Sequence, residues 1–167
     1  MTTPTPGSPE WALLAEGNVT QARKRVAADV LIRDEVGRVL LVEPTYKAGW
    51  DLPGGMVEAN EAPHLAAIRE LREELGITPV LGEMLCADWV SPHGPWDDQL
   101  SFVFDGGISR GQRFAPADPE IAAVGFFAVD EALVLVGDRM RPRLQAALAA
   151  LASGRALYLC EGRPLTG

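Results

Sequence analysis

The chain has 167 residues, 47% of them hydrophobic, and a formal charge of −8. That length fits one domain, and no run reaches the roughly 18 apolar residues that a membrane span needs. The acidic balance argues against a general nucleic-acid binder, which needs a basic stripe to displace counterions, and it sets a condition: acting on an anionic substrate requires a cation in between.

In chain order, residues 1–9 lack a basic start followed by an apolar core, so they do not read as a signal peptide. Residues 1–20 are expected to form a partly disordered lead, and residues 21–167 a single domain. Residues 26–33 read as a strand, 34–37 as a turn, and 38–43 as its partner strand. A helix is predicted over 63–75. Further strands are predicted at 80–90, 100–104 and 124–129. A second helix is predicted over 142–152, where Leu144, Leu148 and Leu151 recur at helical spacing and Gly154 suits the stop. Strands and helices interspersed without a regular βαβ repeat predict a mixed-sheet α/β/α sandwich. Cys86 and Cys160 lack C-x-x-C spacing and read as plain buried thiols in a reducing, cytoplasmic setting. The apolar tail 156–160 is open to packing within the chain or across a homodimer.

The informative stretch is Trp50-Asp51-Leu52-Pro53-Gly54-Gly55-Met56-Val57-Glu58-Ala59-Asn60-Glu61-Ala62-Pro63, followed by the helix from His64 to Leu75 and then Gly76-Ile77. At 100° per residue, Leu65, Ile68, Leu71 and Leu75 share one sector. Glu70, Glu73 and Glu74, spaced i, i+3, i+4, are predicted to gather on the roughly opposite face. Like charges at that spacing destabilise a helix, and the C-terminal half of the dipole disfavours them further. A glutamate-rich face alone reads as a solvated one. The flanks change the balance. Gly54-Gly55 permits close backbone approach, Gly76 suits a left-handed stop, and Arg69 is able to orient a carboxylate, with Glu61 as a partner. A hard divalent cation with oxygen ligands then makes sense of the carboxylates. Ala62 is a poor N-cap, and Pro63 suits the first turn.

This pattern resembles the Nudix box: Gly, five residues, Glu, seven residues, Arg-Glu, an aliphatic residue, any residue, Glu-Glu, any residue, Gly, an aliphatic residue. Gly55, Glu61, Arg69, Glu70, Leu71, Glu73, Glu74, Gly76 and Ile77 occupy every defined position. With the preceding strands, the resemblance spans residues 25–133. It implies a Nudix-like α/β/α sandwich with a mixed sheet. The implied activity is metal-dependent hydrolysis of a diphosphate linkage in a small nucleoside-type substrate, with Mg2+ as cofactor and Mn2+ as a substitute. Glu70, Glu73 and Glu74 would bind metal, with the Gly54 carbonyl near it, while Arg69 and Glu61 hold the loop-helix-loop in shape. The family often adds an acid from a later loop. Glu120 is the choice here, with Asp118 as alternative, against the plain reading of a solvated loop carboxylate.

Other residues carry weaker signals. His93 sits in a loop that could overhang a substrate, and Trp50 and Trp96 could stack a base, although surface and packing roles are commoner. His64 reads as structural. Arg23-Lys24-Arg25 or Lys47 could meet a phosphate. Pro92, 15 residues beyond Ile77, resembles the marker of ADP-ribose-type members, so ADP-ribose or a similar nucleotide sugar is the expected substrate. The alternatives are a (d)NTP pyrophosphohydrolase, a non-catalytic ligand sensor with this fold, and an isomerase that would need a catalytic cysteine. The complete glutamate set argues against the sensor, and the strand position of Cys86 against the isomerase.

Overall fold

The computed structural model describes residues 3–165. Its elements in chain order are helix α1 (Pro9–Thr20), strands β1 (Arg25–Asp34), β2 (Val39–Pro44) and β3 (Gly54–Met56), helix α2 (Pro63–Leu75), strands β4 (Met84–Val90), β5 (Gln99–Ser109) and β6 (Ile121–Phe127), helices α3 (Val129–Leu135) and α4 (Met140–Ser153), and strands β7 (Leu157–Cys160) and β8 (Arg163–Pro164). The strands form one sheet in the order β6-β2-β1-β5-β4-β7-β8, with β3 beside β1. β1 pairs parallel with β5 and β4 parallel with β7, while the other pairings are antiparallel. No helix among the described residues is long and apolar enough to cross a membrane.

The sheet is covered on both faces, which makes the predicted α/β/α sandwich. Ala28, Val30 and Ile32 of β1 pack with Ala66, Ala67, Leu71 and Leu75 of α2. Leu31 points the other way, into a cluster with Met140, Leu144 and Ala147 of α4 and Ala132 of α3. A strand buried on both faces reads as an almost continuous apolar run, as residues 26–32 do. Asp29 breaks that run, at 7% exposure.

One edge of β1 is divided. β2 pairs near its end, at Arg33↔Val39, whereas β3 pairs near its start, with Ala28 opposite Gly55 and Asp29 opposite Gly54. The chain between β2 and β3 stays close: Val42 and Asp51 exchange backbone hydrogen bonds of 3.0 and 2.9 Å, and the Val30 N–H donates to the Pro53 carbonyl at 2.9 Å. This fork in the sheet opens the space that the site occupies.

The structure refines several predicted elements. The lead carries α1, capped by Ser8 Oγ accepting from the Trp11 N–H, and this helix buries none of its residues. The strand predicted over 80–90 begins only at Met84, and the one predicted over 124–129 ends before α3 starts at Val129. Residues 157–160 pack within the chain as β7 against β4. Cys86 is fully buried, but Cys160 is only half-buried. Leu65 is 52% exposed, so the apolar face of α2 is rotated from the predicted one, toward Ala66 and Ala67.

Candidate metal centre and substrate cavity

Helix α2 starts without a side-chain cap at Ala62 and ends on Gly76 in the left-handed region at φ 67°, where the Gly76 N–H closes on Arg72. A residue with a Cβ would be strained in that conformation, so the glycine sets the helix end. The rotation of the helix decides where its carboxylates go. Ala66 and Ala67 let the backbone approach the sheet, and this brings Glu70 and Glu74 alongside Gly54-Gly55. These two carboxylates are therefore half-buried at the helix-strand junction and do not lie opposite the apolar face. Glu73 alone is exposed.

The fit is close. A Cβ on Gly55 would lie 2.5 Å from Glu70 Cδ, and the Gly54 N–H donates to Glu74 Oε2 at 3.0 Å. Arg69 ties the assembly together. Its Nε and Nη2 donate to the two oxygens of Glu61, each at 3.0 Å. Nη1 donates to Glu70 Oε1 at 2.9 Å and to Glu73 Oε2 at 3.1 Å, and Nη2 also reaches the Met56 carbonyl at 3.0 Å. The guanidinium thus links the loop, β3 and α2, as expected for Arg69 and Glu61.

Electrostatics separates these carboxylates. The fork from Arg69 holds Glu61 below its ordinary range. Burial raises Glu70 above its ordinary range despite Arg69. Burial pushes Glu74 up to about 8, with the charges of Glu70, Asp29 and Asp51 adding to it against the opposing Gly54 N–H. Carboxylates that resist ionisation because they are crowded and desolvated gain most from a cation. Oxygen ligands backed by glycines, with no side chain in the way, suit a hard divalent ion. Among the described residues, no three His, Cys, Asp or Glu side chains converge as a ready ligand set. Glu70 and Glu73 turn toward Arg69, and Glu74 toward Gly54.

Glu74 borders a cavity of about 310 Å3 whose wall also includes Gly54, Gly55, Asp29, Asp51 and Arg143. A volume of this order suits a small-molecule site. A NUDIX domain model matches residues 23–150. The chain belongs to the NUDIX family. An RNA pyrophosphohydrolase of Halorhodospira halophila is 44% identical over 50 residues, covering 30% of this chain and 28% of that protein. A CTP pyrophosphohydrolase of Escherichia coli is 41% identical over 66 residues, covering 37% of this chain and 47% of that protein. The matches therefore span less than half the length of these curated relatives. The crystal structure of a MutT protein from Methanosarcina mazei Go1 has a TM-score of 0.67 at 24% identity, covers 78% of this chain and 99% of that one, and shares its fold.

In this NUDIX chain, the later acid stands on the loop before β6. The Glu120 side chain is exposed and outside the cavity wall, and its carbonyl accepts from the Thr45 N–H at 2.7 Å. Asp118 is engaged locally, accepting from the Glu120 N–H at 2.7 Å. Trp96 carries the Arg25 guanidinium 4.5 Å from its ring, and Lys24 pairs with Asp98. His93 Nδ1 lies 3.0 Å from the Ser91 carbonyl. None of these residues lines the cavity. Trp50 does, and it also packs edge-on against Phe127 at 4.7 Å. Lys47 lines the cavity too, paired with Asp51.

Sequence reasoning missed Asp29, Asp51, Arg139 and Arg143 of the cavity wall. Asp29 alone carried a signal, as a charge inside an apolar strand. Burial and the nearby Asp51 charge raise it to about 7, with Arg143 opposing.

The Arg69 fork leads to a prediction. Arg69→Lys keeps the charge but cannot bridge Glu61, Glu70, Glu73 and Met56 at once. We expect a loss of about 2–3 kcal/mol of stability, because partly buried carboxylates lose their partner. We also expect a fall of roughly 10–100-fold in kcat. Urea denaturation and steady-state rates check both, and an unchanged variant would remove Arg69 from the framework.

Proposed function

We propose that the chain is a divalent-metal-dependent hydrolase of the diphosphate linkage in a nucleoside diphosphate joined to another moiety. Magnesium is the working ion and manganese a substitute. The observation that carries this reading is the half-buried pair Glu70 and Glu74, raised in pKa and set against Gly54-Gly55 at the mouth of a nucleoside-sized cavity. Glu70, Glu73, Glu74 and the Gly54 carbonyl would hold the cation. When bound, it supplies charge neutralisation at phosphate oxygens and a more acidic water.

The chain's own residues do the rest. Arg69 and Glu61 keep loop, strand and helix in register. A water oxygen adds to phosphorus, the bridging P–O bond breaks, and a carboxylate takes the water proton. Glu70 is favoured for that proton over Glu120, because Glu70 stands half-buried against Gly55 beside the other box carboxylates, whereas Glu120 is exposed on the loop before β6. The products are two monophosphates, or a monophosphate and pyrophosphate from a nucleoside triphosphate.

For the second moiety, a specific observation favours a nucleotide sugar such as ADP-ribose. Ser91 and His93, which flank Pro92, line a second cavity of about 140 Å3, and Arg139 and Arg143 border both cavities. Together the two offer room for a nucleoside and a sugar. The test is release of monophosphate from a panel of nucleotide sugars and nucleoside triphosphates, with and without chelator. Activity is expected to vanish with chelator and return with magnesium or manganese, and full turnover in excess chelator would overturn the metal role. A kcat/KM for nucleoside triphosphates ten times that for nucleotide sugars would remove the sugar reading and leave the hydrolase.

A further inference from the structure

On the wall of the main cavity, which Glu74 shares, lies a buried pair that the proposed chemistry does not use. Asp29 and Arg143 are each 7% exposed, and both line the cavity wall. Arg143 comes from α4 and Asp29 from the centre of β1. Their closest approach is 3.8 Å, Nη1 to Oδ2, which is beyond hydrogen-bond reach. Arg143 Nε donates to the Arg139 carbonyl at 3.2 Å and lies 3.4 Å from Asp88 Oδ2. No other hydrogen bond engages the Arg143 guanidinium, and none engages the Asp29 carboxylate, among the described residues. A buried guanidinium and carboxylate normally close into a fork near 2.8 Å. Here both remain open, and a donor and an acceptor stand side by side on the cavity wall.

The charges decide what can sit there. At the pair itself they balance, since Arg143 faces Asp29 and Asp88, and Lys47 is matched by Asp51, so a phosphate would go to Arg139, the cation of this wall with no ion-pair partner among the described residues. A neutral group with a carbonyl beside N–H donors is the match. Among nucleobases, guanine places a carbonyl, a ring N–H and an exocyclic amino group in a row. Its carbonyl takes an Arg143 N–H, and its two donors take the two Asp29 oxygens. Adenine offers one donor beside a ring nitrogen, so one Asp29 oxygen would face a C–H. Hypoxanthine keeps the carbonyl and ring N–H but lacks the amino group.

We propose that Asp29 and Arg143 form a nucleobase-reading pair that selects guanine-type nucleotides. This rests on the proposed nucleotide hydrolysis and deepens it by naming the base, so GDP-linked compounds should outrun ADP-ribose. A buried hydrogen-bonding site discriminates strongly against a ligand lacking the matching groups, so the preference for guanine over adenine is expected to be roughly tenfold or more.

Binding separates this idea from the chemistry. GMP, IMP and AMP are titrated into the full chain at pH 8 with chelator present, read by the fluorescence of Trp50, which shares the cavity, and by calorimetry. The expected order of affinity is GMP, then IMP, then AMP. Asp29→Asn, nearly isosteric, replaces one acceptor by a donor that opposes guanine. Its GMP-to-AMP affinity ratio should fall about tenfold or more, whereas a merely structural role would weaken both ligands alike. Arg143→Gln should likewise narrow the ratio, and circular dichroism confirms folding of each variant. Equal affinities in the wild type, an unchanged ratio in Asp29→Asn, or no binding of any of the three overturns the pair as a base reader. If GMP is preferred but no nucleotide is hydrolysed, the base-reading pair stands and the hydrolase reading falls.

Discussion

Glu74→Gln is expected to lower kcat by about 10²–10⁴ while making the metal-free protein more stable at pH 8. The two effects have one origin. Glu74 is crowded against Gly54 and raised to about 8 by burial and by the charges of Glu70, Asp29 and Asp51. An acid raised in the folded state is bound more tightly to its proton there than in the unfolded chain. The folded state is therefore favoured at low pH, and that advantage is lost as pH rises from the ordinary glutamate range near 4.5 to about 8. Above pH 8 the folded protein carries the full penalty of a desolvated, repelled carboxylate. Glutamine removes that penalty and can still accept the Gly54 N–H. After allowance for the cavity's access to water, the gain should be on the order of 1–2 kcal/mol. It should shrink to nothing below about pH 4.5. Urea denaturation of both proteins in chelator at pH 4, 6 and 8 measures this trend. Added magnesium should stabilise the wild type and leave the variant almost unmoved. A kcat within tenfold of the wild type, or a variant less stable at pH 8, would show that Glu74 is not held in readiness for a cation.

Acidification acts in the opposite direction through other groups. Asp34, Glu61, Asp98 and Glu161 are all held below their ordinary range by hydrogen bonds or ion pairs with Arg38, Arg69, Lys24 and the Ser91 N–H. Their contributions are lost as pH falls below about 4. The metal-free chain should therefore be most stable in mildly acidic solution, between that loss and the one centred on Glu74 and Asp29.

The helix carrying the glutamates was legible in the sequence because its signals are local. Pro63 opens it, Gly76 ends it in the left-handed region, and the predicted bounds 63–75 match α2. The direction that helix faces was not legible. Periodicity ranked Leu65 with Leu71 and Leu75, yet Leu65 is exposed and the two alanines are buried. The reason is tertiary: Ala66 and Ala67 matter for being small, since they bring α2 within reach of a strand that begins with two glycines. Periodicity counts apolar residues and does not see close approach. For the same reason β3 was invisible, a three-residue strand defined by what it pairs with. Strand β7 was equally ambiguous, because Leu157–Cys160 is apolar enough to pack anywhere and only the free edge of β4 settles its place. Arg143 lies beside Leu144 in a helix that also carries Arg141 and Gln145, and no carboxylate nearby in sequence pairs with it. Its partners, Asp29 and Asp88, come from two different strands.

Gly54 and Gly55 are expected to fail in different ways when given a side chain. A Cβ on Gly54 would sit 2.4 Å from the Ala28 carbonyl oxygen and 2.6 Å from Asp29 Cα, and φ at this residue is 142°. Both obstacles are backbone of the central strand, so neither can move aside. Gly54→Ala should therefore cost about 3 kcal/mol or more, the sum of overpacking and an unfavourable dihedral. A Cβ on Gly55 meets only Glu70, at 2.5 Å from Cδ and 2.7 and 2.8 Å from its oxygens. That carboxylate is the far end of a flexible side chain and can rotate away. Gly55→Ala should then fold with a loss of only about 1 kcal/mol. Its kcat should nevertheless fall by roughly 10²-fold, because Glu70, the carboxylate proposed to take the water proton, no longer stands beside the glycine, and small misplacements of such a group are costly. Urea denaturation and rates per folded molecule separate the two outcomes. A Gly55→Ala variant with wild-type kcat would mean that the position of Glu70 against β3 is not its working position. A Gly54→Ala protein of wild-type stability would mean that the glycine strand does not lie as close to β1 as the register of Asp29 and Gly54 requires.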